Sequence, residues 1–140
     1  MLFLRITFLT FLSLICNDCF SMALQENCTE QEAIAADKEA SEVTDWKMML
    51  RSFLRYNKCD DASIAEGYSE SVSRLLADDW HKTPSLIALI RKNKGFGDFI
   101  LKHIDETIPL HRLRKITFQA KHECPRGGES FCMAVLKASR

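Results

Sequence analysis
Cys124 and Cys132 bracket the least ordinary stretch of the chain, "ECPRGGESFC" at residues 123–132, with a proline, an arginine and a Gly-Gly pair between two thiols. Such a pair could hold a metal, carry out thiol–disulfide chemistry or close a turn. Structural zinc sites favour shorter cysteine spacings, and a dithiol redox centre favours C-x-x-C. C-x₇-C suits neither. A disulfide staple suits it, because glycine supplies the backbone freedom that a closed turn demands. The staple would hold Arg126 and Glu129 on a fixed, exposed loop, where they could contact a partner.

"ADDWHKTP" gathers Asp78, Asp79, Trp80 and His81. Paired carboxylates beside a histidine could transfer protons or ligate a metal. Adjacent helical residues point about 100° apart, however, so both carboxylates cannot face one substrate. The reading is a helix end with Trp80 in the core and Asp78, Asp79 and His81 exposed as weak candidate contacts. The four histidines, His81, His103, His111 and His122, form neither H-x-x-x-H nor H-E-x-x-H. His103 and Glu106 have the i, i+3 spacing used in di-metal bundles, but no second copy accompanies them. Surface or half-buried histidines are therefore expected, with no metal and no cofactor. No Walker A loop, G-x-G-x-x-G or G-x-S-x-G occurs. A hydrolase with a dispersed triad stays open, since triads are spatial arrangements.

The N-terminus decides the cysteine chemistry. Arg5, the apolar run Ile6 to Ile15 and Ser21-Met22-Ala23 follow the order of a secretory signal peptide. The run falls short of the ~20 residues that a membrane span needs. The expected division is a signal peptide over 1–23 and one helical domain over 24–140, placed in the periplasm or outside the cell. Cleavage would remove Cys16 and Cys19, leaving Cys28, Cys59, Cys124 and Cys132. An even count in a small exported domain reads as disulfides, with three connectivities open. Locality favours Cys28–Cys59 and Cys124–Cys132. Formal net charge is zero, with 19 basic and 19 acidic residues. That balance argues against nucleic acid and against acidic membrane surfaces as partners.

The elements that must position these residues read as helices throughout. Thr29 with Glu32 makes a capping box ahead of an Ala- and Glu-rich helix whose thin apolar face implies loose packing. Thr44 can cap a second segment, with Trp46, Met49, Leu50, Phe53 and Leu54 in a helical stripe; the two segments could also be one helix. Asp60 or Asp61 caps the next, carrying Ile64, Tyr68, Val72, Leu75, Leu76 and Trp80. Gly67, inside it, implies close approach of a neighbouring helix. Thr83 with Pro84 at the first position opens a further helix, and Asp98 caps "FILKHIDET". Pro109 precedes "LHRLRKITFQAKH", and Glu129 to about Ala138 closes the chain. No alternating strand pattern occurs. The class is all-α, five to seven short helices, stapled by disulfides.

"AEGYSESV" around Gly67-Tyr68, "DDW" at Asp78 to Trp80 and "CP" at Cys124-Pro125 resemble small periplasmic immunity proteins of Gram-negative bacteria. The resemblance spans about half the chain and lacks a cysteine beside Gly67-Tyr68. It implies a helical, disulfide-bearing protein that protects the cell against a secreted cell-wall amidase by plugging the enzyme's active site. The expected function is an exported binding protein with a protein partner, possessing no catalytic residues of its own. The alternatives are a small exported hydrolase or metal-dependent enzyme, and a eukaryotic secreted helical signalling factor. For the last, a glycan on Asn27 of the "NCT" sequon would be the mark.

Overall fold
Seven helices follow one another in a computed structural model that describes residues 27–140. The signal peptide expected over 1–23, with its expected cleavage point, lies outside the described residues. The helices are α1 (Glu30–Glu42), α2 (Trp46–Tyr56), α3 (Ala62–Asp78), α4 (Thr83–Lys92), α5 (Phe96–Lys102), α6 (Leu110–His122) and α7 (Glu129–Ala138). Short 3₁₀ turns at Asn57–Cys59 and Trp80–Lys82 adjoin α3. No strand occurs among the described residues, so the all-α class is as the sequence implies.

α3 is the central element. Ile64, Tyr68, Val72, Leu75 and Leu76 are buried, and so are Ser69, Ser71 and Ser73 on its other sides. A helix hidden nearly all round must satisfy its polar side chains internally. Ser71 Oγ donates to the Ala40 carbonyl at 2.7 Å, and Ser52 Oγ shares a 2.8 Å hydrogen bond with Tyr68 Oη. Burial raises the Tyr68 phenol above its usual value.

α1 packs tightly, which corrects the expectation of loose packing. Its apolar face is thin because it consists of small residues. Ala36 and Ala40 are fully buried, and an added Cβ at Gly67 would stand 3.1 Å from Ala40 Cβ. Close helix approach here depends on small side chains on both partners. The Thr29–Glu32 capping box forms as the spacing implies. The backbone N–H of Thr29, then the side chains of Lys58 and Thr29, bring the Glu32 carboxyl down to about 2.

The chain breaks between α1 and α2, with Asp45 as the cap in place of Thr44. Asp45 Oδ1 accepts from the backbone N–H groups of Lys47 and Met48 at 2.8 Å each. Asp61, and not Asp60, caps α3. Thr83 lies inside α4 and makes no cap bond; its buried hydroxyl has no protein partner. α5 starts two residues ahead of Asp98, because Gly95 takes φ +82° and turns Phe96 fully into the core.

Both favoured disulfides form. Cys28–Cys59 ties the entry of α1 to the turn before α3, and Cys124–Cys132 closes the loop between α6 and α7. All four cysteines of the described residues are thus paired.

Candidate functional site
The expected contact residues divide between two neighbouring segments. Asp78 and Asp79 point to different partners, as their helical spacing requires. Asp78 Oδ1 meets Lys115 Nζ on α6 at 2.9 Å, while Asp79 Oδ2 meets Lys82 Nζ at 2.8 Å. The Lys82 hydrogen bond holds the Asp79 carboxyl below its usual range. His81 is exposed in the 3₁₀ turn. Trp80 is buried, as expected, and its Nε1–H donates to the Glu123 carbonyl at 2.9 Å. That bond ties this turn to the start of the stapled loop.

In the loop, Arg126 is exposed. Glu129 Oε1 accepts from the Gly127 backbone N–H at 3.0 Å, and Arg91 Nη2 donates to the Gly127 carbonyl at 2.6 Å. Glu129 heads α7, and the backbone N–H groups of Glu129 itself and of Gly127 hold its carboxyl below the usual range. Gly128 cannot be replaced freely, since a Cβ there would meet Ile87 Cδ1 at 2.6 Å. Glu129 therefore spends much of its acceptor capacity on shaping its own loop, and Arg126 is the freer of the two.

The structure also builds a cluster that the sequence did not announce. His103, expected at or near the surface, is 1 % exposed. Its Nδ1 lies 3.0 Å from Ser69 Oγ and its Nε2 lies 3.2 Å from Asp60 Oδ2. Lys102 Nζ donates to the same Asp60 oxygen at 2.8 Å. Ser69 Oγ donates to Asp105 Oδ2 at 2.7 Å, and Asp105 Oδ1 accepts from the backbone and hydroxyl of Thr107. Phe99 packs edge-on against the His103 ring at 4.6 Å, and Tyr68 at 5.6 Å closes a further side. The sequence signal for this cluster is Asp60. With Asp61 serving as cap, its neighbour is free to turn inward.

Serine, histidine and aspartate in hydrogen-bonded series invite comparison with a hydrolase triad, but the roles do not match. A nucleophilic serine must give its proton to the histidine. Ser69 gives its proton to Asp105, so that hydrogen is not directed at the His103 Nδ1 that lies 3.0 Å away. A carboxylate can only accept, so Asp60 takes a hydrogen from Nε2.

The surroundings also oppose acyl transfer. Ser69 is 2 % exposed in the middle of α3, where neighbouring backbone N–H groups are consumed by the helix and cannot form an oxyanion hole. A cleft of 340 Å³ reaches this place, but Glu66 and Glu70 line it with negative charge. Burial pushes the Asp60 carboxyl upward, and the hydrogen bonds from His103 and Lys102 outweigh it, leaving a net lowering. Burial likewise raises Asp105, and the Thr107 and Ser69 hydrogen bonds bring it below its usual value. The cluster locks the turn before α3, the middle of α3 and the segment after α5 together.

No metal-binding group of three or more His, Cys, Asp or Glu occurs among the described residues, and no helix of theirs is long and apolar enough to cross a membrane.

A different surface stands unsatisfied. On α6, Leu110 is 60 % and Phe118 56 % exposed, while Ile116 and Ala120 on the opposite side are buried. Ile116 is fully buried, Leu113 is half-buried, and Leu110 turns outward. Leu110, Leu113, Thr117 and Phe118 line a hollow of 330 Å³ with Arg114 and Lys121 at its edge. Compared with family models, with curated proteins and with solved structures, the chain matches none.

Proposed function
We propose that this chain is an exported binding protein that acts by surface complementarity on another protein, as an immunity protein does when it blocks a secreted toxin in the periplasm. The observation that carries the reading is the uncovered apolar face of α6, held on a scaffold whose four described cysteines are paired. A surface hydrophobe alone is ordinary, but Leu110 and Phe118 lie two turns apart on one helix face around a shared hollow. Two disulfides support an oxidising compartment. They also limit the ordering entropy that binding would cost, which favours affinity from few contacts. The stapled loop, with Arg126 exposed, is a second contact region.

The test is capture with the oxidised protein as bait against extracts and secreted fractions of its own organism. A single stoichiometric partner that is retained at high salt is expected, and the partner's activity, assayed with and without this protein, would then show inhibition. Arg126→Ala should weaken the complex without moving the melting temperature. A protein that retains nothing in either oxidised or reduced form would end the binding reading.

A further inference from the structure
We propose that the outer face of α6 docks an amphipathic helix of the partner protein, apolar along its contact stripe and flanked by carboxylates. This rests on the binding reading above and names the chemistry of what binds.

The cations of α6 carry the argument. Arg112 Nη1 meets Glu70 at 2.6 Å and Lys115 Nζ meets Asp78 at 2.9 Å, so both are neutralised by α3. Arg114 and Lys121 have no ion-pair partner among the described residues, and both border the hollow. His122 lies tilted against Phe118 with ring centroids 4.7 Å apart and lines the same hollow. No carboxylate lines this hollow. An occupant must therefore bring apolar side chains for Leu110, Leu113 and Phe118 and negative charge for Arg114 and Lys121.

A helix fits better than a loop or strand. The apolar residues Leu110, Leu113 and Phe118 recur at i, i+3 and i+8, a span of about 12 Å or two helical turns. Such a face accepts anchors at helical spacing from an opposing amphipathic helix. A second copy of this chain would set the same unpaired cations against each other, so an isologous dimer is disfavoured. An anionic membrane would find only two unpaired permanent cations here, on the order of 1 kcal/mol each, on a chain of zero formal net charge. Beyond Leu113 the adjoining hollow is of mixed charge, lined by Asp105, Glu106 and Arg140.

The experiment titrates the full oxidised protein with a synthetic amphipathic peptide bearing a Leu/Phe stripe flanked by glutamates. The same peptide with lysines for glutamates and phosphatidylglycerol vesicles serve as the other arms. Amide chemical shifts locate the contact. The glutamate peptide should bind, with shifts confined to residues 110–122 and the adjacent C-terminal turn. Arg114→Glu with Lys121→Glu should weaken it roughly tenfold and reverse the preference toward the lysine peptide. Phe118→Ser should abolish binding of both peptides while leaving the melting temperature in place. Equal binding of the two peptides, shifts centred elsewhere, or binding to vesicles alone would overturn the assignment. A native partner captured equally well by wild type and by Phe118→Ser would also overturn the groove, while leaving the binding function standing.

Discussion

The Ser69–His103–Asp60 cluster and the outer face of α6 lie on the same small scaffold and are opposites in physical terms. The cluster holds the residue types most often associated with catalysis, yet its hydrogen bonds are nearly all spent within the protein and its histidine is 1 % exposed. The α6 face holds residue types most often found in cores, yet Leu110 and Phe118 are more than half exposed. Residue type is a poor guide to where function resides. Unsatisfied interaction capacity is a better one, because a group already bonded inside the fold has little left for a ligand.

The comparison breaks if the cluster proves to be more than a lock. His103→Ala should cost the most, about 3–5 kcal/mol, because it leaves Asp60 buried with only Lys102 against it. Chemical denaturation measures the loss, and partner capture by the remaining folded fraction should be unchanged. Opening Cys28–Cys59 by a double serine substitution should cost about 3–4 kcal/mol from the 31-residue separation that it closes. The loss is read from the denaturation midpoint under non-reducing conditions.

Ser69→Ala should cost about 1–3 kcal/mol, since it strands His103 Nδ1 and an Asp105 oxygen. A variant of unchanged stability that loses an enzymatic activity would restore the hydrolase reading. Acid should act through the same groups. The folded values of Asp60 and Asp105 are lowered, so their stabilisation is present above the unfolded value near 4 and is lost as pH falls through the folded one. Denaturation midpoints should therefore drop below about pH 4, and Asp60→Asn should flatten that drop. Glu32, also lowered, contributes in the same direction, and Glu32→Gln separates its share. The smallest effect sharpens the contrast. Phe118→Ser should change stability by no more than about 0.5 kcal/mol, while partner affinity falls.

Much of the fold was legible because it depends on local pattern. The all-α class, the Thr29 capping box, the α7 boundaries and both disulfides follow from periodicity, cap chemistry and short cysteine separations. Gly67 was legible too, since a glycine inside a helix usually signals a close neighbour, here Ala40 at α1. What misled was equally physical. A face of alanines looks weak by hydropathy, yet small residues permit the tightest helix approach. Thr44, Thr83 and Asp98 are good cap residues, but caps compete: Asp45 reaches two amide groups, and Gly95 starts α5 by a left-handed turn that no side chain announces.

The sequence by itself determined the periods and punctuation of the helices and which cysteines were within easy reach of each other. These are properties of neighbours along the chain, within one or two turns. The tertiary structure alone decided that Asp60, Ser69, His103 and Asp105 meet, and that α6 turns Leu110 and Phe118 outward while Arg112 and Lys115 are claimed by α3. Those outcomes join residues more than 30 positions apart. A helix stripe shows which side chains share a face, but not which faces find a partner, because that depends on how the other six helices fill the space around α3.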